Sequence, residues 1–338
     1  MAELIGIILA LIVSWGVTGL MCLAGPRLAP MDIPNHRSCH MNPTPRGGGI
    51  GMVIGFVLVA TLFSMTGVVS SRFSLSLISG SLLVAAIGFC DDVRDIPAIW
   101  RLTVHFIATA VFFYFSDVWS GFHGLVGLSV ILVMMVGMVW LLNVFNFMDG
   151  IDGIAAMEGL SVTTGAGLIL FLNKDRPDAL LVLGVGAICL GFLLWNWPPA
   201  RIFMGDVGSC FLGFVIGGIM LKTVVLEHSM GAYSWLILLA VFLTDATITL
   251  LTRIFKGEAW LQSHCSHAYQ QASLFYSSHL KVTAGVLGIN IFWLFPLAFF
   301  VEILPSYRIL GTFIAYLPLI VVVFIFKSGK ITPHKNRT

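Results

Sequence analysis

The feature that most constrains this chain is a succession of apolar runs, each near the thickness of a bilayer. A helix needs about 20 mostly apolar residues to cross the hydrocarbon core. Eleven runs meet that need, at about 3–24, 48–69, 73–90, 99–116, 124–142, 154–172, 178–196, 209–226, 233–254, 282–301 and 308–326. The links between them are short, so residues 1–338 read as one integral membrane domain without a clear internal repeat. The expected fold is an all-α polytopic membrane protein with about 11 transmembrane helices.

Composition narrows the classes further. Of 338 residues, 58% are hydrophobic and 10% charged, against roughly 25% charged in soluble domains. That excludes a soluble two-domain enzyme. A net charge of +2 is too small to suggest a nucleic-acid partner. The six cysteines (22, 39, 90, 189, 210 and 265) form no CxxC, so neither a disulfide framework nor a strong zinc motif is expected. Met1-Ala2-Glu3 lacks the basic start of a cleaved signal, so the first run is expected to remain as an anchor.

Orientation follows from the basic residues. When the loops after odd-numbered spans share a side with the C-terminal tail, that side holds thirteen of the eighteen Lys and Arg. The positive-inside rule puts it in the cytoplasm and the N-terminus outside. Every polar cluster that looks like chemistry falls on the same side. Asp32, His36, Arg37, His40 and Arg46 occupy its first loop, and Asp91, Asp92 and Asp95 its second. Asn143 to Asp152 form the third, Asn196, Arg201 and Asp206 the fourth, and His264, His267, Gln270 and Gln271 the fifth.

Each cluster has a plain structural alternative. Asp91-Asp92-Val93-Arg94-Asp95 could be a solvated loop start. Acids at a helix C-terminus, however, oppose the macrodipole at about 0.3–1 kcal/mol each, so three of them invite a cation or a metal-bound phosphate. Asp152 could simply cap the sixth span, but a cap leaves Asn143, Asn146 and Asp149 unexplained. Asp206 or Ser209 could cap the eighth span, yet Gly205 and Gly208 beside an acid at a helix start suit a metal-bound phosphate. Phe203 could face lipid or stack on a base. His264 and His267 could lie on an interfacial helix, could form half a zinc site that lacks its other ligands, or could meet phosphate oxygens. Asp245 is the one acid read as lying well inside a span, and a hydrogen bond to a neighbouring helix is the favoured role.

In order, Asp91-Asp92-x-x-Asp95, Asn143-x-x-Asn146-x-x-Asp149-Gly-x-Asp152-Gly, Phe203-Met-Gly-Asp206-x-Gly-Ser209 and a histidine-bearing fifth loop resemble the polyprenyl-phosphate N-acetylhexosamine-1-phosphate transferases. The first loop, Asp32-Ile-Pro-Asn-His-Arg37 through Pro-Thr-Pro-Arg46-Gly-Gly, is similar too. The likeness runs over nearly the whole chain and is nearest to the bacterial branch that starts O-antigen, lipopolysaccharide or related glycans.

The resemblance implies transfer of a sugar-1-phosphate from a UDP-sugar to undecaprenyl phosphate, with release of UMP. It implies Mg²⁺, with Mn²⁺ as a substitute, and a bacterial inner-membrane location with the site facing the cytoplasm. A homodimer is compatible with it. Carried over by motif, Asp206 is the main metal ligand, with Asp149 close to the metal. Asp91 and Asp92 meet the lipid phosphate, Asp91 as a proposed base. Asp152 and Phe203 hold uracil, Asn146 and Asn196 line the nucleotide-sugar pocket, Arg46 is a substrate contact, and His264 and His267 touch the diphosphate. The fifth loop, Ser263-His264-Cys265-Ser266-His267, has fewer histidines than the branches that transfer GlcNAc or peptidoglycan precursors, which leans toward a 6-deoxy-HexNAc.

Two other classes compete. A CDP-alcohol phosphotransferase would carry its acids in one compact motif, which is not found. A transporter of phosphorylated or nucleotide-sugar solutes would bury polar groups near the midplane in paired broken helices.

Overall fold

The computed structural model describes residues 2–25, 30–33, 43–258 and 265–326. The predicted site residue His264 lies outside them, as do His36, Arg37 and His40 of the first loop.

Helix follows helix. The elements are α1 (Ala2–Ala24), α2 (Gly49–Met65), α3 (Ser71–Arg94), α4 (Ala98–Ser116), α5 (Gly124–Phe147), α6 (Ile154–Leu172) and α7 (Arg176–Asn196). After these come α8 (Asp206–Leu221), α9 (Ala232–Leu238), α10 (Ala240–Phe255), α11 (Ala268–Tyr276), α12 (His279–Ile289), α13 (Phe295–Ile303) and α14 (Arg308–Ile325). Two-residue strands β1 (Met31–Asp32) and β2 (Thr44–Pro45) pair antiparallel, Asp32 opposite Thr44.

All eleven predicted runs find helices. Among the described residues, nine helical stretches are long and apolar enough to cross a membrane. The run at 48–69 gives the shorter Gly49–Met65, and the run at 233–254 is not one straight helix. It breaks between α9 and α10 with a 76° bend. No glycine or proline marks the break, which is why hydropathy alone reads it as continuous.

Local chemistry sets several ends. Ser70 caps α3 by accepting from the Phe73 N–H, and Asp175 caps α7 by accepting from the Asp178 N–H. Trp197-Pro198-Pro199 ends α7, because proline has no N–H to give and disfavours helix before it.

Helices α6, α7 and α8 lie innermost, while α1, α5 and α14 turn much of their apolar surface outward. In lipid the outward face costs nothing, so association rests on close packing and small residues. Helix α8 shows this, with four glycines between Gly208 and Gly218 and almost every residue buried. It packs on α3 and α5. Gly88 of α3 lies so near that an added Cβ would stand 2.5 Å from the Asp206 carbonyl oxygen. That approach brings the second-loop acids to the start of α8.

Candidate active site

The Asp92 carboxylate caps α8 from outside that helix. Its Oδ1 accepts from the Asp206 N–H at 3.0 Å and its Oδ2 from the Val207 N–H at 3.1 Å. Helix N-termini leave such donors unsatisfied and favour negative charge. Gly205, at φ 75°, makes the approach feasible, since a Cβ there would fall 2.4 Å from Asp92 Oδ2.

Asp91 faces the same point. Its Oδ1 accepts from the Ile96 N–H at 2.6 Å, and its Oδ2 lies 2.6 Å from Arg101 Nη1. The same Nη1 also donates to Asp206 Oδ2. Arg101, at the start of α4, therefore ties a second-loop acid to a fourth-loop acid.

Asp149 joins them from the third loop. Its carboxyl is pushed well above the usual carboxylate range, first by burial and then by the charges of Asp206 and Asp92. Crowded acids that resist ionising are a place where a cation would be welcome. Among the described residues no three or more ligand-type side chains converge as a ready cage. Mg²⁺ characteristically takes one or two carboxylates, keeps waters and adds substrate phosphates. The hard oxygens of Asp206 and Asp149 fit that mode.

Asn146 donates to Ser209 Oγ at 3.2 Å, on the first turn of α8. Asn143 instead donates back to Val139 O of its own helix at 2.7 Å. Asp152 does not cap α6. The N-cap is Gly153, and the Asp152 Oδ2 accepts from the Ala200 N–H at 3.1 Å. The Asp152 Oδ1 lies 3.2 Å from His279 Nδ1. Asn196 is buried and splints the third loop to the fourth, accepting from the Gly153 N–H at 2.9 Å and donating to Ile202 O at 2.8 Å.

The first loop lies across the fourth. Phe203 N–H donates to Pro45 O at 2.8 Å, and Gly48 N–H donates to Phe203 O at 3.0 Å. The Phe203 side chain is half-buried at this junction. Arg46 donates through Nε and Nη2 to Asp32 Oδ2 at 3.1 and 2.8 Å. Asp32, Arg46, Asp92 and Asp95 wall a polar cavity of about 280 Å³. Carboxylates and a guanidinium around one space suit a charged, phosphate-bearing ligand with its counter-ion.

The fifth loop docks beneath the third. Asp245 of α10 accepts from the Ala268 and Tyr269 N–H groups at 3.0 and 2.9 Å, capping α11, and lies 3.3 Å from His267 Nδ1. Tyr269 Oη donates to Phe147 O at 3.0 Å, just before the acidic stretch. The favoured structural role for Asp245 fits these contacts. His267 is 2% exposed and is spent, at Nδ1, on this junction. Beside it, apolar side chains of α10, α12 and α14 line a cavity of about 320 Å³ that also touches Asp245, Tyr269 and Lys281.

The expected residues Asp91, Asp92 and Asp206 are thus tied together through Arg101 and the start of α8, Asp149 feels the charges of Asp206 and Asp92, and Arg46 shares a cavity wall with Asp92. Asn146, Asp152, Asn196 and Phe203 sit on the loops around them. Arg101 and His279 were not singled out by sequence reading. The signal available for Arg101 was a cation ten residues after Asp91, just past the loop and after Arg94. His279 carried none, being one of several loop histidines. Asp245 is also not the sole intramembrane acid: Glu158, fully buried in α6, is a second.

Residues 74–224 match the family model described as glycosyl transferase family 4. This stretch resembles a glycosyl transferase family 4 core. The matched stretch holds every acid of the charge cluster, whereas Arg46, His264 and His267 lie outside it. Over 74% of its length the chain is 28% identical to the decaprenyl-phosphate N-acetylglucosaminephosphotransferase of Mycolicibacterium smegmatis, covering 69% of that protein. It is 26% identical to the probable undecaprenyl-phosphate N-acetylglucosaminyl 1-phosphate transferase of Bacillus subtilis, over 82% of this chain and 80% of that one. It is also 26% identical to the phospho-N-acetylmuramoyl-pentapeptide-transferase of Prochlorococcus marinus, over 87% and 83% of the two chains. These matches support the resemblance drawn from the motifs.

Proposed function

We propose that this protein is a transferase of the glycosyl transferase family 4 type that moves a HexNAc-1-phosphate from a UDP-sugar to undecaprenyl phosphate. The reaction takes place at the cytoplasmic face of a bacterial inner membrane and begins an O-antigen, lipopolysaccharide or related glycan. The supporting observation is that Asp92 and Arg101 join the second-loop acids to Asp206 at the start of α8, with Asp149 of the third loop near enough to feel the charges of Asp206 and Asp92. A lipid phosphate can reach such a point while its chain stays in the bilayer.

In this reading a lipid-phosphate oxygen attacks the phosphorus that bears the sugar. The bridge to the uridylate phosphate breaks, and UMP leaves with the bridging oxygen. Asp206 and Asp149 would hold Mg²⁺, which supplies positive charge where two phosphate groups must meet. Asp92 holds the start of α8 in place. Arg101 keeps Asp91 and Asp206 together and offsets part of their charge. Asp152, Asn196 and Phe203 shape the nucleotide side, and Arg46 faces the phosphates. The apolar cavity beside α11 offers a wall for the isoprenoid chain. The sparse fifth-loop histidines favour a 6-deoxy-HexNAc donor.

The transporter reading gains one observation, the bend between α9 and α10. The acid on that bent pair, Asp245, is already engaged by Thr249, the α11 backbone and His267. The test is transfer of radiolabel from a panel of UDP-HexNAc donors, including GlcNAc and 6-deoxy sugars, into lipid by the purified protein. Label entering lipid from one donor, and stopping with EDTA, supports the proposal. Uptake of intact donor into vesicles without lipid labelling supports the transporter.

A further inference from the structure

A polar seam runs from the site into the membrane between α6 and α12. At the site end, His279 Nδ1 lies 3.2 Å from Asp152 Oδ1, and Thr283 Oγ1 donates to the Asp152 carbonyl at 2.9 Å. Deeper, Asn290 Nδ2 donates to Glu158 Oε2 at 2.6 Å and to Ser161 Oγ at 2.7 Å. His279, Thr283 and Asn290 are spaced by four and seven residues, which puts them on one helical face. Asn290 opens a π-helical turn, Asn290–Leu294. Such turns insert a residue and re-aim a side chain, and they are frequent at functional sites.

The Glu158–Asn290 contact is incomplete as an ion–amide pair. Glu158 is fully buried and Asn290 is 5% exposed. Among the described residues, Glu158 Oε1 and Asn290 Oδ1 are both buried without a hydrogen-bond partner. An ionised carboxylate held by one neutral donor would carry a desolvation cost of several kcal/mol. A neutral carboxylic acid has one O–H to donate, and the carbonyl of the amide that already donates to this carboxyl group lacks a donor. In a reciprocal pairing one proton would satisfy both orphaned atoms.

We propose that Glu158 is held as a neutral acid in a reciprocal acid–amide pair with Asn290, and that this pair positions α12 so that His279 and Thr283 fix Asp152. Glu158 and Asn290 are positioning residues, since neither touches the charge cluster. The part of the inference that concerns nucleotide binding rests on the proposed role of Asp152.

Three variants test it: E158Q, which keeps a reciprocal amide–amide pair, E158L, which removes it, and H279A. In nanodiscs at neutral pH, infrared difference spectra of wild type against E158Q should show a protonated-carboxyl C=O stretch that is lost in the variant. Absence of that band overturns the neutral acid. The melting-temperature losses of E158L and H279A should be non-additive in the double variant, although the two side chains do not touch. Additive losses overturn the coupling. The dissociation constant of UMP should rise by between about ten- and a hundredfold in E158L and return to near wild type in E158Q. Unchanged UMP affinity in E158L overturns the positioning role. If wild type binds no UMP, the proposed function fails, while the spectra and the melting cycle still decide the pair.

Discussion

Asp92 grips the backbone of Asp206, taking its N–H on one carboxylate oxygen and the N–H of Val207 on the other. One acid is thereby spent on presenting another. Asp92→Ala is predicted to destabilise the protein by about 0.5–2 kcal/mol, the usual loss for a removed cap, and to abolish transfer. Asp92→Asn should recover only part of the stability, because its amide has one accepting oxygen for the two N–H groups, and it should not recover the transfer. Thermal unfolding in detergent and label transfer measure the two effects. Full activity in the Asn variant would show that the charge of Asp92 is not used.

The Asp206 carboxylate itself accepts from Arg101, and its charge acts on Asp149. Asp206→Asn is predicted to leave the protein folded and to lower transfer by at least about a thousandfold, as expected for loss of a metal-binding carboxylate. The readouts are gel-filtration profile and initial rate across a Mg²⁺ titration. An ordinary Mg²⁺ dependence with retained rate would remove Asp206 from the site.

Arg101 bridges Asp91 and Asp206 through a single nitrogen. Removing it leaves two crowded carboxylates uncompensated. Arg101→Ala should lower both melting temperature and kcat, with kcat down by about tenfold or more, since truncating one partner of a charge network is costly. Arg101→Lys keeps one charged donor nitrogen but on a shorter stem and as a strongly hydrated point charge, so it should restore only part. Rates in the Ala variant equal to wild type would mean that the bridge is ornamental to the chemistry.

Phe203 is held at the crossing of the first and fourth loops by backbone hydrogen bonds on both sides. Base stacking is worth about 1–3 kcal/mol by alanine substitution. Phe203→Ala is therefore predicted to raise the KM for the UDP-sugar by roughly five- to a hundredfold, with little change in KM for the lipid. Equal effects on the two substrates would count against stacking on uracil.

Much of this was legible in the sequence. Span positions follow from summed hydropathy, a one-dimensional quantity, so all eleven runs are found. The acids at 91, 92, 149 and 206 stand out because charge beside a bilayer is expensive. What sequence reading missed depends on direction. The bend at Leu239 carries no breaker residue, and Glu158 sits one turn inside a span whose polar partner, Asn290, lies 132 residues away. Asp152 looked able to cap α6, yet its carboxylate turns toward Ala200 and His279. Whether an acid caps its own helix or a neighbour's is settled by tertiary packing, which spacing does not encode.

The most direct measurement is UMP release by the purified protein, with UDP-sugar and undecaprenyl phosphate supplied together and each omitted in turn. The account predicts one UMP per lipid converted, no release without the lipid phosphate, and none from Asp206→Asn. UMP release that continues unchanged without the lipid would contradict it, because the site would then be hydrolysing the donor rather than passing its sugar phosphate to an acceptor in the membrane.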